Sequence, residues 1–322
     1  MVPEPSLLAR FADDLNTLIT VDARVGIAVS GGPDSLALLL LASASRPQRI
    51  EAATVDHGLR EEGRAEAEAV GAVCRGLDVP HRILTIEWAV KPETAIQERG
   101  RQERYLLLGS WAKERGLDAI ATAHHLDDQA ETLLMRLARG SGVRGLAGMR
   151  AVSRVPGSDL PLLRPLLGWR RQALRDICAA AGLEPSLDPS NEDERFERIR
   201  VRRGLSEANW LDPAPLASSA TYLGEADAAL DWAARQEWAR AVTNGGGEIV
   251  YRPAEAPTEI RRRIVVEVLS RLAAEGQDNL LRGRELERLL ATLGDGGAAT
   301  LRGVLCRGGV EWRFAKAPER RS

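Results

Sequence analysis

Val25-Gly26-Ile27-Ala28-Val29 runs straight into Ser30-Gly31-Gly32-Pro33-Asp34-Ser35, and the chain then turns apolar again from Leu36 to Leu41. An apolar strand that breaks into small residues and resumes as a helix places several backbone N–H groups at a helix N-terminus, where they can hold an anion. Gly31 and Gly32 let the main chain approach a ligand closely, Ser30 and Ser35 add hydroxyl donors, and Pro33 suits a first helical turn in which one N–H is not needed. The P-loop of kinases and GTPases ends in Gly-Lys-Ser/Thr, its Lys reaching the outer phosphates. No Lys stands here, and Asp34 offers a metal ligand instead. An ordinary Gly-Pro turn would not need so clean a strand-loop-helix setting.

Working outward, strands and helices alternate. A helix near Leu7–Ile19 precedes the first strand, and a helix over Asp34–Ala44 follows the loop. Then come a strand near Ile50–Val55, a helix Glu61–Arg75, a strand His81–Ile86, a long helix Glu93–Arg115, a strand Ala119–Ala123 and a helix Asp127–Ala138. This order predicts an α/β fold with a doubly wound, Rossmann-like parallel sheet, in which ligands bind at the carboxyl ends of the strands. After about Leu205 the composition changes. Asp212-Pro213-Ala214-Pro215 reads as a hinge, Leu216–Val242 as a long Ala-rich helix ended by Asn244-Gly245-Gly246-Gly247, and Thr300–Cys306 with Val310–Phe314 as a hairpin turning at Gly308-Gly309. The expected division is a catalytic domain over residues 1–207 and a smaller, mainly helical domain over residues 208–322.

At 322 residues, 44% hydrophobic and 28% charged, the chain is long enough for a large and a small core. No stretch approaches the roughly 20 apolar residues of a membrane span, and Met1-Val2-Pro3-Glu4-Pro5 lacks the layout of a signal peptide, so the cytoplasm is expected. Cys74, Cys178 and Cys306 are scattered, which predicts core residues rather than a disulfide, zinc or iron–sulfur framework. A net charge of −2 carries no global signature of nucleic-acid binding, so such a partner must be met by local basic patches.

Three strand ends carry polar chemistry: the loop above, Val55-Asp56-His57-Gly58-Leu59-Arg60, and Ala123-His124-His125-Leu126-Asp127-Asp128-Gln129-Ala130-Glu131-Thr132. With Asp127 near a helix N-cap, Asp128 and Glu131 fall three apart on one face, where they can share Mg²⁺ bound to pyrophosphate or hold a cationic substrate. Adjacent His residues diverge and no third soft ligand follows, which argues against zinc. Two Arg-rich segments supply basic surface: Arg136, Arg139, Arg144 and Arg150 flank a Gly-rich stretch, and Arg195, Arg198, Arg200, Arg202 and Arg203 follow later.

The loop resembles the pyrophosphatase-type loop of ATP enzymes that split their nucleotide into AMP and pyrophosphate. Ser-Gly-Gly-x-Asp-Ser together with His-His-x-x-Asp-Gln-Ala-Glu-Thr resembles the tRNA(Ile)-lysidine synthetase family. Further similar segments follow in order: Arg139-Gly140-Ser141-Gly142 with Gly145-Leu146 and Gly148-Met149, then Arg164-Pro165-Leu166-Leu167, then Asp188-Pro189-Ser190-Asn191 with Phe196, Arg198 and Arg202. The resemblance covers roughly residues 20–205, with Ile199 where the family commonly has Asn.

That resemblance implies an ATP-dependent carbon–nitrogen ligase that modifies tRNA(Ile). ATP adenylates C2 of the wobble cytidine in a CAU anticodon and pyrophosphate leaves; the ε-amine of free L-lysine then attacks C2 and expels AMP, giving lysidine. It implies ATP contacts at Ser30, Gly31, Gly32, Pro33, Asp34, Ser35 and His57, and Mg²⁺ on Asp34 and Asp128. It further implies catalytic roles for Asp34, Arg104, Asp128 and Glu131, lysine recognition by Asp34, Asp128 and Glu131, and tRNA contacts from Arg139, Arg144, Arg198, Arg202 and the C-terminal domain. A homodimer is compatible with the family. Three rivals are separable: a tRNA thiolation enzyme would need sulfur-handling cysteines or an iron–sulfur cluster, an amidating synthetase would need an ammonia source, and a non-catalytic ATP-responsive RNA-binding module would be expected to have lost the acids.

Overall fold

Val25–Ala28 forms strand β1, and its residues are apolar on both sides because helices cover both faces of the sheet. Gly26 marks the tightest packing: a Cβ there would meet the Trp111 ring at 2.6 Å, so only Gly lets that indole lie against the strand. The helix after the loop, α2 (Pro33–Ser45), buries Leu36 through Ala42 on every side, as a helix enclosed by protein should. The computed structural model describes residues 3–58, 62–88, 96–186, 195–273 and 283–318, and divides into two compact units, Met1–Gly224 and Glu225–Ser322.

The first unit is mixed α/β. In chain order its elements are α1 (Pro5–Asn16), β1, α2, β2 (Ile50–Asp56), α3 (Glu62–Gly76), β3 (His81–Thr85), α4 (Ile96–Arg115), β4 (Ala119–Ala121) and α5 (Leu126–Ala138). There follow α6 (Val143–Leu146), β5 (Val152–Arg154), β6 (Pro161–Leu163), α7 (Arg171–Ala180) and α8 (Glu197–Glu207). The strand order is β3-β2-β1-β4-β6-β5. Val25 stands beside Ile50 of β2 and Ala119 of β4, and the pairs from β3 to β6 are parallel. On one face α1, α2 and α7 pack in a core that includes Phe11, Leu38 and Trp169; on the other, Tyr105, Leu108 and Trp111 of α4 pack on Ala53, Ile120 and Leu162.

Several expectations are corrected. The sheet is not parallel throughout, because β5 pairs antiparallel with β6 at the edge; both strands are three residues long and too short to show a period. Asp212-Pro213-Ala214-Pro215 is not a hinge. Asp212 Oδ1 accepts the Ala214 N–H at 3.1 Å, and the prolines occupy the first turn of α9 (Pro213–Ala241), where their missing donors cost nothing.

The second unit holds more sheet than the single hairpin expected. Strands β7 (Val242–Gly245), β8 (Glu248–Tyr251), β9 (Ala298–Leu301), β10 (Val304–Arg307) and β11 (Trp312–Lys316) pair antiparallel in the order β7-β8-β11-β10-β9, with α10 (Thr258–Leu272) and α11 (Gly283–Gly294). The glycines after Asn244 make a two-residue hairpin turn, Gly246 and Gly247 both having positive φ. In this unit Arg263 is buried against Asp227, Asp231 and Glu259. Among the described residues no helix is long and apolar enough to cross a membrane.

Candidate active site

The loop between β1 and α2 is braced from within. The Ser35 hydroxyl donates to the Gly32 carbonyl at 2.9 Å and accepts the Ser30 N–H at 3.1 Å, so this side chain, expected as a ligand donor, is committed to loop shape. Gly31 has φ +86°, a left-handed backbone that costs a side-chain-bearing residue about 1–2 kcal/mol. Its carbonyl accepts the Ser186 N–H at 3.0 Å, and from below the Cys178 thiol of α7 donates to the Pro33 carbonyl at 3.1 Å. The N-cap Gly32 has no side chain to occupy the helix end; Pro33 has no N–H and the Ser35 N–H turns back to the Gly32 carbonyl at 3.1 Å, so the Asp34 N–H is the helix-start donor that remains for a ligand.

His125 joins this loop to α5. It is 1% exposed and caps α5: its Nδ1 accepts the Asp128 N–H at 3.4 Å, while Asp128 Oδ2 accepts the His125 N–H at 3.1 Å. An accepting Nδ1 assigns the ring proton to Nε2. That nitrogen lies 3.4 Å from Asp34 Oδ2 and 3.6 Å from Asp128 Oδ2, so one imidazole brackets acids from two helices. Asp34 Oδ1 is buried with no partner. Asp127 is engaged elsewhere, its Oδ2 accepting the Arg171 N–H at 2.8 Å and tying α5 to the start of α7.

Glu131, expected to face lysine, points away from such a role. It is 1% exposed, and its oxygens meet Arg171 Nη2 at 2.7 Å, Arg202 Nε at 2.8 Å and Arg198 Nε at 3.3 Å. Burial would raise its pKa, yet hydrogen bonds from Arg202 and Arg171 and their charges outweigh that and hold it below the usual value. A carboxylate enclosed by three guanidiniums is not open to an ammonium. Arg198 and Arg202, expected on tRNA, here fold onto Glu131, and Arg198 also donates to the Thr132 hydroxyl at 2.8 Å. Arg171 was not anticipated; its only cue is its position at the start of a strongly amphipathic helix. Beside this cluster lies a cavity of about 400 Å³ lined by Asp127, Glu131, Arg170, Arg171, Arg202 and Asp212.

The other expected residues are more dispersed. The His57 carbonyl at the end of β2 accepts the Trp88 Nε1–H at 2.7 Å; Leu59, Arg60 and Asp188–Asn191 lie outside the described residues. Arg104 lies on α4 with its guanidinium 5.0 Å from the Tyr105 ring centre and its Nε buried without a partner. Arg139 is ion-paired with Glu197, and Arg144 is exposed on α6. Arg136, expected at the RNA-facing surface, turns inward and donates to the carbonyls of Gly145 and Gly148. Gln129 works beside it, donating to the Met149 carbonyl at 2.8 Å and accepting the Met149 N–H at 2.6 Å. Together they hold the Gly-rich segment on α5.

Comparison with known proteins decides the family. A family model described as a PP-loop domain matches residues 6–209. A tRNA(Ile)-lysidine synthase of Novosphingobium aromaticivorans is 47% identical over 317 residues, covering 98% of this chain and 95% of the relative. The chain belongs to the tRNA(Ile)-lysidine synthase family. Another relative, from Zymomonas mobilis, is 42% identical over 303 residues, covering 94% of this chain and 91% of its own. Among solved structures, a U34-tRNA thiolase of Methanococcus maripaludis with its [4Fe-4S] cluster aligns with TM-score 0.56 over 69% of this chain and 80% of its own, at 16% identity, a likeness of fold alone.

As a lysidine synthase family member, the chain differs from a sulfur-handling protein at its thiols. Cys74, Cys178 and Cys306 are all buried, and burial pushes them up to about 12, 11 and 11, far from thiolate character. Among the described residues no group of three or more His, Cys, Asp or Glu is arranged to hold a metal alone. The pair Asp34 and Asp128, with Asp34 Oδ1 unpartnered, fits the other mode, in which Mg²⁺ takes one or two carboxylates and completes its shell with water and substrate phosphates.

Proposed function

We propose that this chain is an ATP-dependent carbon–nitrogen ligase that joins L-lysine to C2 of the wobble cytidine of tRNA(Ile) bearing a CAU anticodon, through an adenylated cytidine, releasing pyrophosphate and then AMP. The observation that carries this reading is His125 bracketing Asp34 of the loop and Asp128 of α5, which sets acids beside the helix N-terminus that suits phosphates. The main-chain N–H groups of Gly31, Gly32 and Asp34 bind the ATP phosphates, with His57 on the neighbouring strand end. Asp34 and Asp128 would hold Mg²⁺, whose charge offsets that developing on pyrophosphate. Arg104, with an uncommitted Nε, stabilises the charge of the adenylation transition state.

In the second step the ε-ammonium of lysine, with a pKa near about 10.4 in water, must lose a proton before it attacks. Asp34 and Asp128 are the acids placed to receive it, and Glu131 instead orders Arg171, Arg198 and Arg202. Every residue given a chemical role falls within residues 1–207, and we infer that the remainder adds tRNA contact.

The test incubates the protein with ATP, labelled lysine and tRNA transcripts differing only at the wobble base. Label should enter the CAU transcript alone, with AMP and pyrophosphate in equal amounts. Formation of ADP, or label entering without regard to the wobble base, overturns the reading; tRNA-dependent ATP/pyrophosphate exchange separates an enzyme from a non-catalytic RNA-binding module.

A further inference from the structure

His124 follows β4 on the side of the sheet covered by α4, and basic groups crowd it. Burial first, then the charges of Arg164, Arg101, Arg104 and Arg198, push it down to about 3, so it is a neutral ring, with the Thr122 hydroxyl 2.9 Å from Nδ1. Arg101 and Arg104 stand 5.1 and 5.0 Å from the centre of the Tyr105 ring. Arg164 is fixed from the next strand, donating to the Arg150 carbonyl at 2.7 Å and to Ser153 Oγ at 2.9 Å.

Three polar atoms of this group are buried with no hydrogen-bond partner: Arg104 Nε, Tyr105 Oη and Arg164 Nε. Tyr105 is 1% exposed and Arg164 7%. Two of the three are obligate donors and the hydroxyl is one by rotation, and leaving such groups unpaired costs about 1–3 kcal/mol each. Among the described residues no carboxylate pairs with Arg101, Arg104 or Arg164. Unpaired donors and uncompensated positive charge around a neutral ring call for an anion. The loop feeds α2, whose core lies on the opposite face of the sheet from that of α4, so this group and the loop flank the strand ends from two sides, with Arg104 shared between them.

We propose that Arg101, Tyr105 and Arg164, with Arg104 at the border, form a phosphodiester site that grips the RNA backbone beside the base being modified. The proposal rests on the function given above, in which the RNA is the second polyanion to enter this crevice. A backbone grip on this face presents the neighbouring base to the junction of the loop and α5.

The experiment measures binding of a CAU anticodon stem-loop to the full chain across a salt series, together with pyrophosphate inhibition and thermal melting. Tyr105→Phe and Arg101→Gln are the informative variants: the first removes one hydroxyl, and the second alters an exposed side chain. Each should weaken RNA binding about 10-fold, and Arg101→Gln should also make the salt dependence shallower by about 0.7 in log–log slope. Melting temperature and pyrophosphate inhibition should stay as in the parent. Unchanged RNA affinity in both variants overturns the proposal, as does weakened pyrophosphate inhibition with RNA affinity intact, which would assign the anion to pyrophosphate. Parent protein that binds the stem-loop through these residues but attaches no lysine to the full tRNA would overturn the reaction and leave the phosphate site standing.

Discussion

Glu131 and His124 are buried titratable groups whose neighbours set their state. Glu131→Gln leaves three guanidiniums around a neutral amide; because those arginines are 17–39% exposed, water softens the loss to about 1–3 kcal/mol, readable in urea unfolding. Its effect on lysine KM should be smaller than that of Asp128→Asn, since Asp128 keeps an oxygen 3.6 Å from His125 beside the loop and meets Arg171 only at 3.9 Å, whereas both oxygens of Glu131 are taken up by arginines. For His124 the folded chain resists protonation down to about pH 3, whereas the unfolded chain takes up a proton near 6.5. Its contribution is therefore whole above about pH 6.5 and is lost steadily as pH falls toward 3, about 2 kcal/mol of it by pH 5. His124→Gln should flatten that decline in a pH series of denaturation midpoints. Asp34 and Asp128 were legible as a pair because helix starts and strand ends are local facts of sequence. The guanidiniums on Glu131 were not, since they arrive from 40 to 71 residues further on.

At the scale of elements, α5 works as a spine. His125 starts it against the loop, Asp127 ties it to α7, and Gln129 with Arg136 fastens the Gly-rich segment. Gln129→Met would leave the Met149 N–H and carbonyl without their partner and cost about 2–3 kcal/mol. Amide exchange should then quicken over residues 140–150 and stay slow in β1 and α2. The alternating strands and helices up to α5 were readable because each long apolar run has a clear period and clear ends. Strands β5 and β6 were not, being too short, and the prolines of α9 deceived because the same residue opens a helix and breaks one.

For the whole molecule, the second unit has its own core, with Tyr251, Trp312 and Phe314 of its sheet against Val265 and Leu269 of α10. Beside it Arg263, 5% exposed as a side chain, pairs with Asp227 at 2.7 Å, itself 1% exposed. Arg263→Met would strip a buried carboxylate of its guanidinium and cost about 3–5 kcal/mol. Calorimetry should show the transition of this unit falling while that of the first unit holds. The β10–β11 hairpin, reversing after Arg307, was readable at Gly308-Gly309, whereas the β7–β8 hairpin escaped because a glycine pair that reverses a strand looks the same as glycines that finish a helix.

The Cys178 thiol beneath Pro33 gives the nucleotide loop a built-in clock. It is 1% exposed and hydrogen-bonded to that loop, so a maleimide reaches it only when α7 and the loop part. The rate of alkylation at this sulfur, followed by mass spectrometry, thus reports how often the ATP cradle opens, and saturating nucleotide should slow it.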